Sequence, residues 1–168
     1  MPTPAYMKIE GKNQGEMSSG AMSADSVGTM SKSAFEDYIQ VQAFKHQIMV
    51  PTDPQSGQPS GVRTHRGMTI TKVYDKSSPL LYQMLATGEQ IKEMTIEWYR
   101  TSASGEQEHY FTTKIEEGTI VDITAHMPNC LDPSNGPFTH MEDISIAYKK
   151  IEWTHEAAGT SGSDSWDG

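Results

Sequence analysis

A chain of 168 residues is the size of one domain and can bury roughly two thirds of its unfolded surface, so a single core is enough. Lys and Arg number 13 against 22 Asp and Glu, and the formal charge of −9 disfavours a surface that must neutralise nucleic acid or sit on an anionic membrane. The solitary Cys130 excludes an internal disulfide and fits a reducing compartment, and no apolar run approaches the ~18 residues of a membrane-spanning helix.

Ala5, Met7 and Ile9 alternate with Tyr6, Lys8 and Glu10, the period-two pattern of a strand with one buried face. Met1 to Glu10 lacks the charged start and long apolar run of a secretory leader. The chain is therefore expected to be made in the cytoplasm and, if exported, to leave without a signal peptide. From Gly11 to Ala34 the sequence is Gly, Ser, Lys and Asn with isolated methionines, and it reads as loop. Met17, Met22 and Met30 fall on no apolar face and are candidates for contact with a partner, whereas Met7, Met49, Met94 and Met127 fall on strand faces and read as core.

Strand pattern returns at Ile39, Val41 and Ala43, then changes parity to Phe44, His46, Ile48 and Val50, so a bulge or bend is predicted near Ala43. Residues 51–67, with Pro51, Pro54, Pro59, Gly57, Gly61 and Gly67, cannot form a ladder and read as a long excursion. After a strand at Met68 and Ile70, Ser78 as cap, Pro79 in the first turn and Gly88 as stop predict a helix over about 79–87 with Leu81, Met84 and Leu85 on one face.

Met94, Ile96 and Trp98, the turn Ser104–Gly105, then His109, Phe111, Thr113 and Ile115 form the clearest hairpin. Val121, Ile123, Ala125 and Met127 make the next strand, which Pro128 ends. Ile144, Ile146 and Tyr148 follow, and Ile151 and Trp153 have the opposite parity, so a second bulge is predicted near Lys149–Lys150. The residues after about 157 read as a flexible C-terminal tail. The sum is about seven strands and one short flanking helix in one domain, a mainly β chain with the architecture of a barrel or sandwich.

Little here carries chemistry. His126, Cys130 and His140 could meet across neighbouring strands, but no HExxH, CxxC or helical His pair compels a metal site. Cys130 lies in a loop with His126 four residues upstream, no GxSxG is present, and Glu116–Glu117 and Glu142–Asp143 read as solvated edges. No catalytic, cofactor-binding or metal residue is assigned, and the chain is expected not to be an enzyme.

The segments MPTPAYMKIEGKNQG, SADSVG, VPTDPQSGQPSG, EWYRTSASGEQEHYFTTK, MPNCLDP and AGTSGSDSW, in that order, resemble the haemolysin-coregulated protein family, Hcp, the tube protein of the bacterial type VI secretion system. The resemblance implies a compact β-barrel of two antiparallel sheets with one helix, six copies closing into a ring and rings stacking into a hollow tube. Its partners would be further copies of itself, a contractile sheath, a spike protein and small effector proteins carried or chaperoned in the lumen, with no cofactor. On the same resemblance Pro51, Thr52, Asp53, Gly57, Gly61, Arg63 and His65 are assigned to ring stacking, and Met30, Ser31 and Ser33 to cargo contact. The alternative is a stand-alone β-sandwich that binds a peptide or carbohydrate. A third class, a metal-dependent hydrolase, would require stoichiometric zinc.

Overall fold

The computed structural model describes residues 3–165. Among them, antiparallel strands carry the fold: β1 (Ala5–Gly11), β2 (Gly15–Glu16), β3 (Ile39–Val41), β4 (Ala43–Met49), β5 (Thr64–Val73), β6 (Ile91–Thr101), β7 (Gln107–His126), β8 (Met141–Ala147), β9 (Lys150–His155) and β10 (Thr160–Ser165). Two helices accompany them, α1 (Ala24–Val27) and α2 (Ser78–Thr87). The mainly β expectation holds, and the helix predicted over 79–87 is α2.

One bent strand organises the rest. The runs His109–Ile115 and Val121–Met127, read as two strands, are one: the first half of β7 pairs with β6 and β9, the second half with β8. The bend falls at Glu117, whose φ of 53° is rare outside glycine, and at Gly118, where a Cβ would stand 3.1 Å from Ile115 and 3.2 Å from the Ala147 carbonyl. The parity change at Lys149–Lys150 follows this bend, because β8 ends and β9 begins where the chain passes from one half of β7 to the other. The parity change near Ala43 has the same origin. β3 pairs with β1, and after Gln42, whose N–H donates to Thr71 O at 2.8 Å, β4 pairs with β5.

Two layers result, β10-β9-β7-β6-β1 and β7-β8-β5-β4. Ile9, Met94, Ile96 and Ile115 of the first meet Met68, Ile70, Ile144 and Ile146 of the second in one core. The apolar area removed from water there, at roughly 25 cal/mol per Å², is the main term holding the layers together.

Helix α2 closes one flank with Leu81 and Met84 buried. Gly88, at φ 73°, ends it and donates its N–H to Leu85 O. The predicted cap Ser78 does other work: it accepts from Lys72 Nζ (3.0 Å) and donates to Glu142 (2.7 Å). Lys72, fully buried, bridges Glu142 and Asp75, so the helix start is fastened by an ion cluster spanning β5 and β8.

Other expectations change too, beginning with Glu142, which was read as a solvated edge and is 1% exposed. Residues 11–34 are no free loop: Met17, Ala21 and Met22 are buried, and Phe35 stacks on Tyr6 with ring centroids 3.8 Å apart. The excursion placed at 51–67 ends at residue 63, because β5 already begins at Thr64. Gly67 sits inside β5 at φ 75°, where a Cβ would collide with the Ile146 carbonyl at 2.7 Å, beside the register shift between His46 and Ile48. The tail at 157–168 is not free through Ser165, since β10 pairs with β9 over six positions from Thr160–His155 to Ser165–Lys150, while residues 166–168 lie outside the described residues. Backbone geometry makes this hairpin: Gly159 at φ 75° donates to His155 O at 2.8 Å, and TSGSDS has no apolar alternation by which to announce a strand.

Candidate functional site

Between β4 and β5 the chain leaves the body as an arm, residues 50–63. Its shape is internal. Thr52 bridges Pro59, Asp53 N–H donates to Gln58 O (2.8 Å), Ser60 N–H donates to Pro51 O (2.7 Å), and Gly57, at φ 72°, closes the tip on Asp53 O (2.8 Å). The Asp53 carboxylate accepts from Gln55 N–H at 2.9 Å, and the hydrogen bonds from Gln55 and Ser56 hold its pKa below the ordinary carboxylate value. Nearly the whole arm is exposed, Val62 to 79%, so this turn keeps its form without packing on the core.

The arm is anchored at its root. Arg63 donates to Asp164 and, at 2.7 Å, to Ser165 O, both on β10. His65, whose side chain is nearly buried, meets the same Asp164 oxygen through Nε2 at 2.6 Å and the Tyr148 hydroxyl through Nδ1 at 2.7 Å; Tyr148 in turn meets His46 Nε2 at 2.6 Å. Hydrogen bonds from Arg63 first, then His65, hold the Asp164 pKa well below the carboxylate range. Burial, then the Asp164 charge, pushes Tyr148 far up, so it stays a phenol.

The second layer, β7-β8-β5-β4, leaves two outer edges without a partner strand among the described residues: β4 on one side and the second half of β7 on the other. Each edge carries exposed apolar side chains. Ile48, Val50 and Val62 lie at the β4 end, and Val121 and Met127, with Leu131 (87% exposed) and Phe138 in the following loop, lie at the β7 end. Val121 falls at the register shift between Ile120 and Asp122 and Met127 lies just past the end of β7; both are exposed, which overturns their inward reading. The solvent face between the edges is polar and cross-linked: Thr69 pairs with Ser145 at 3.1 Å, and Thr71 donates to Asp143 at 2.6 Å.

Of the residues assigned from the sequence, Pro51, Thr52, Asp53, Gly57 and Gly61 share the arm, whereas Arg63 and His65 belong to its anchor. Met30, Ser31 and Ser33 lie elsewhere, on short helical turns and their junction in the exposed stretch before β3. Sequence reasoning missed Asp164, Tyr148 and His46 as anchor groups, and the two edges; only the parity changes hinted at the edges. His140 stacks on Tyr74 and Cys130 is exposed, so they do not join His126 in a cluster. Phe44 and His46 of β4, Trp98 of β6, Tyr110 and Phe111 of β7 and Trp153 of β9 line a groove of about 400 Å³.

Comparison with known proteins is consistent across sequence and structure. A family model described as "Type VI secretion system effector, Hcp" matches residues 6–155. The "Major exported protein" of Pseudomonas aeruginosa is 54% identical over 166 residues, covering 99% of this chain and 96% of its own. A crystal structure of an Hcp protein superposes with a TM-score of 0.94 at 47% identity, covering 97% of each chain, and the secreted protein Hcp3 from Pseudomonas aeruginosa superposes at 0.84 and 46%, covering 98% of each.

Proposed function

Because this chain belongs to the Hcp family of the type VI secretion system, we propose that it is a structural tube subunit rather than an enzyme, six copies closing into a ring and rings stacking through the arm. The observation that carries this reading is the pair of unpartnered, apolar edges on opposite sides of β7-β8-β5-β4. Two different edges on one sheet suit a head-to-tail contact, which repeats around an axis and closes, and closure covers both of these edges. In such a ring the polar face carrying Lys45, Thr69, Thr71, Asp143 and Ser145 would line the channel. A wall of this kind offers small effectors hydrogen bonds without a sticky apolar surface.

The arm, already shaped and exposed, would reach the next ring at little ordering cost. Pro51, Thr52, Asp53, Gly57 and Gly61 make its contact surface, and Arg63 and His65 hold its root. Met30, Ser31 and Ser33 are a second candidate for cargo contact. The subunit would be made in the cytoplasm, sheathed, capped by a spike and expelled without a signal peptide. Electron microscopy of the purified protein tests this: the reading requires rings with an axial hole, and separate single-domain particles at all concentrations would refute it.

The aromatic groove supports a second reading, a stand-alone module that stacks a sugar or a peptide side chain on Trp98 and Trp153. Saturable binding by isolated single chains would favour it.

A further inference from the structure

The side chains at the arm's root form an ordered chain of hydrogen bonds with a limited capacity for protons. Asp164 accepts from Arg63 and from His65 Nε2–H, which leaves neutral His65 with Nδ1 as acceptor for the Tyr148 hydroxyl; Tyr148 then accepts from His46 Nε2–H. Each donor has an acceptor. One added proton, at His65 Nδ1, is accommodated by reversal: Nδ1–H donates to Tyr148, and the phenol proton turns to Nε2 of His46 in its other tautomer. A second proton, on His46, has no such solution. Both rings would then donate to one phenol, the phenol proton would lose its acceptor in the chain, and two cations would flank a buried ring.

We propose that Arg63–Asp164–His65–Tyr148–His46 is an acid-sensitive latch, closed while at most one histidine is charged and opened by the second proton, which frees the arm's root and the β9–β10 hairpin together. Among the described residues, the charged and titratable groups around it come from several elements. β4 brings His46, β5 His65, the arm Arg63 and β10 Asp164, while Lys114 and Glu116 of β7 and Lys150 and Glu152 of β9 border the cavity beside Asp164. Burial first, then the neighbouring His65, lowers the pKa of His46. A histidine harder to protonate folded than unfolded binds fewer protons in the native state, so its contribution is intact above the unfolded value of about 6.5 and is lost as pH falls below it. Asp164 stays ionised through that window, so it is not the group that changes.

The latch stands on local geometry; only its consequence for stacked rings, separation in acid, rests on the tube reading. The test is hydrogen exchange followed by mass spectrometry on the whole protein between about pH 7.5 and about pH 5, corrected for intrinsic rates. Wild type should lose about tenfold or more of its protection in residues 63–66 and 160–165 at the acid end, with the β8 amides still protected. His46→Gln, whose amide still donates to Tyr148 but takes no proton, should keep that protection. Equal protection of wild type at both ends, or an equal loss in His46→Gln, overturns the proposal. Should His46→Gln not fold, Tyr148→Phe decides: it cuts the chain, so exchange in the hairpin should be fast and independent of pH, and a persisting acid response would overturn the latch. None of these outcomes depends on whether rings form.

Discussion

Two stretches of this chain, 12–38 and 50–62, look alike in composition, rich in Gly, Ser and Pro or Met and poor in pattern, yet they fold in opposite ways. The first is fastened to the core: Met17 and Met22 are each 1% exposed, and Phe35 lies flat on Tyr6. The second touches almost nothing and holds its form through its own backbone, from the Thr52–Pro59 bridge to the Gly57 turn. Buried side chains, not regular structure, tell a packed connection from a presented one. A segment that is shaped but unpacked is available to a partner, whereas a packed one has spent its apolar surface within its own chain.

The contrast can be broken at its two ends. The largest effect belongs to Met17→Asp, which removes core packing and buries a charge; it should cost about 4 kcal/mol or more, read from the urea midpoint. Val62→Asp in the arm should leave that midpoint unmoved, and equal losses in the two variants would erase the distinction. A smaller effect sharpens the arm's half. Gly57→Ala places a Cβ in the left-handed region at the tip and should cost about 1–2 kcal/mol. Because the arm opens locally, that cost should appear as faster amide exchange in residues 53–60 and not as a lower global midpoint.

Much of the layer structure was legible in the sequence, since period-two alternation is strong wherever one face is buried, as at Met94–Trp98, whereas at Ala5–Ile9 Tyr6 on the other face is also covered, by Phe35. The helix was legible through Pro79 and Gly88. The bend in β7 was not, because a strand that changes layers at Glu117–Gly118 looks locally like two strands and a turn. The β9–β10 hairpin was hidden because its pairing uses backbone groups that every residue has. Of the candidate site, the arm was visible from its prolines and glycines. Its anchor was not, because Arg63, His65, Tyr148 and Asp164 come together only when β5 and β10 meet at one corner of the fold.

In the proposed ring the exposed edges of β4 and β7 are covered by copies of the same chain. Light scattering coupled to size exclusion measures whether they are. For an 18.6 kDa chain a closed ring of six gives one species near six masses, roughly 110 kDa. A single chain mass at every concentration, or a dimer that stops at two, would contradict it.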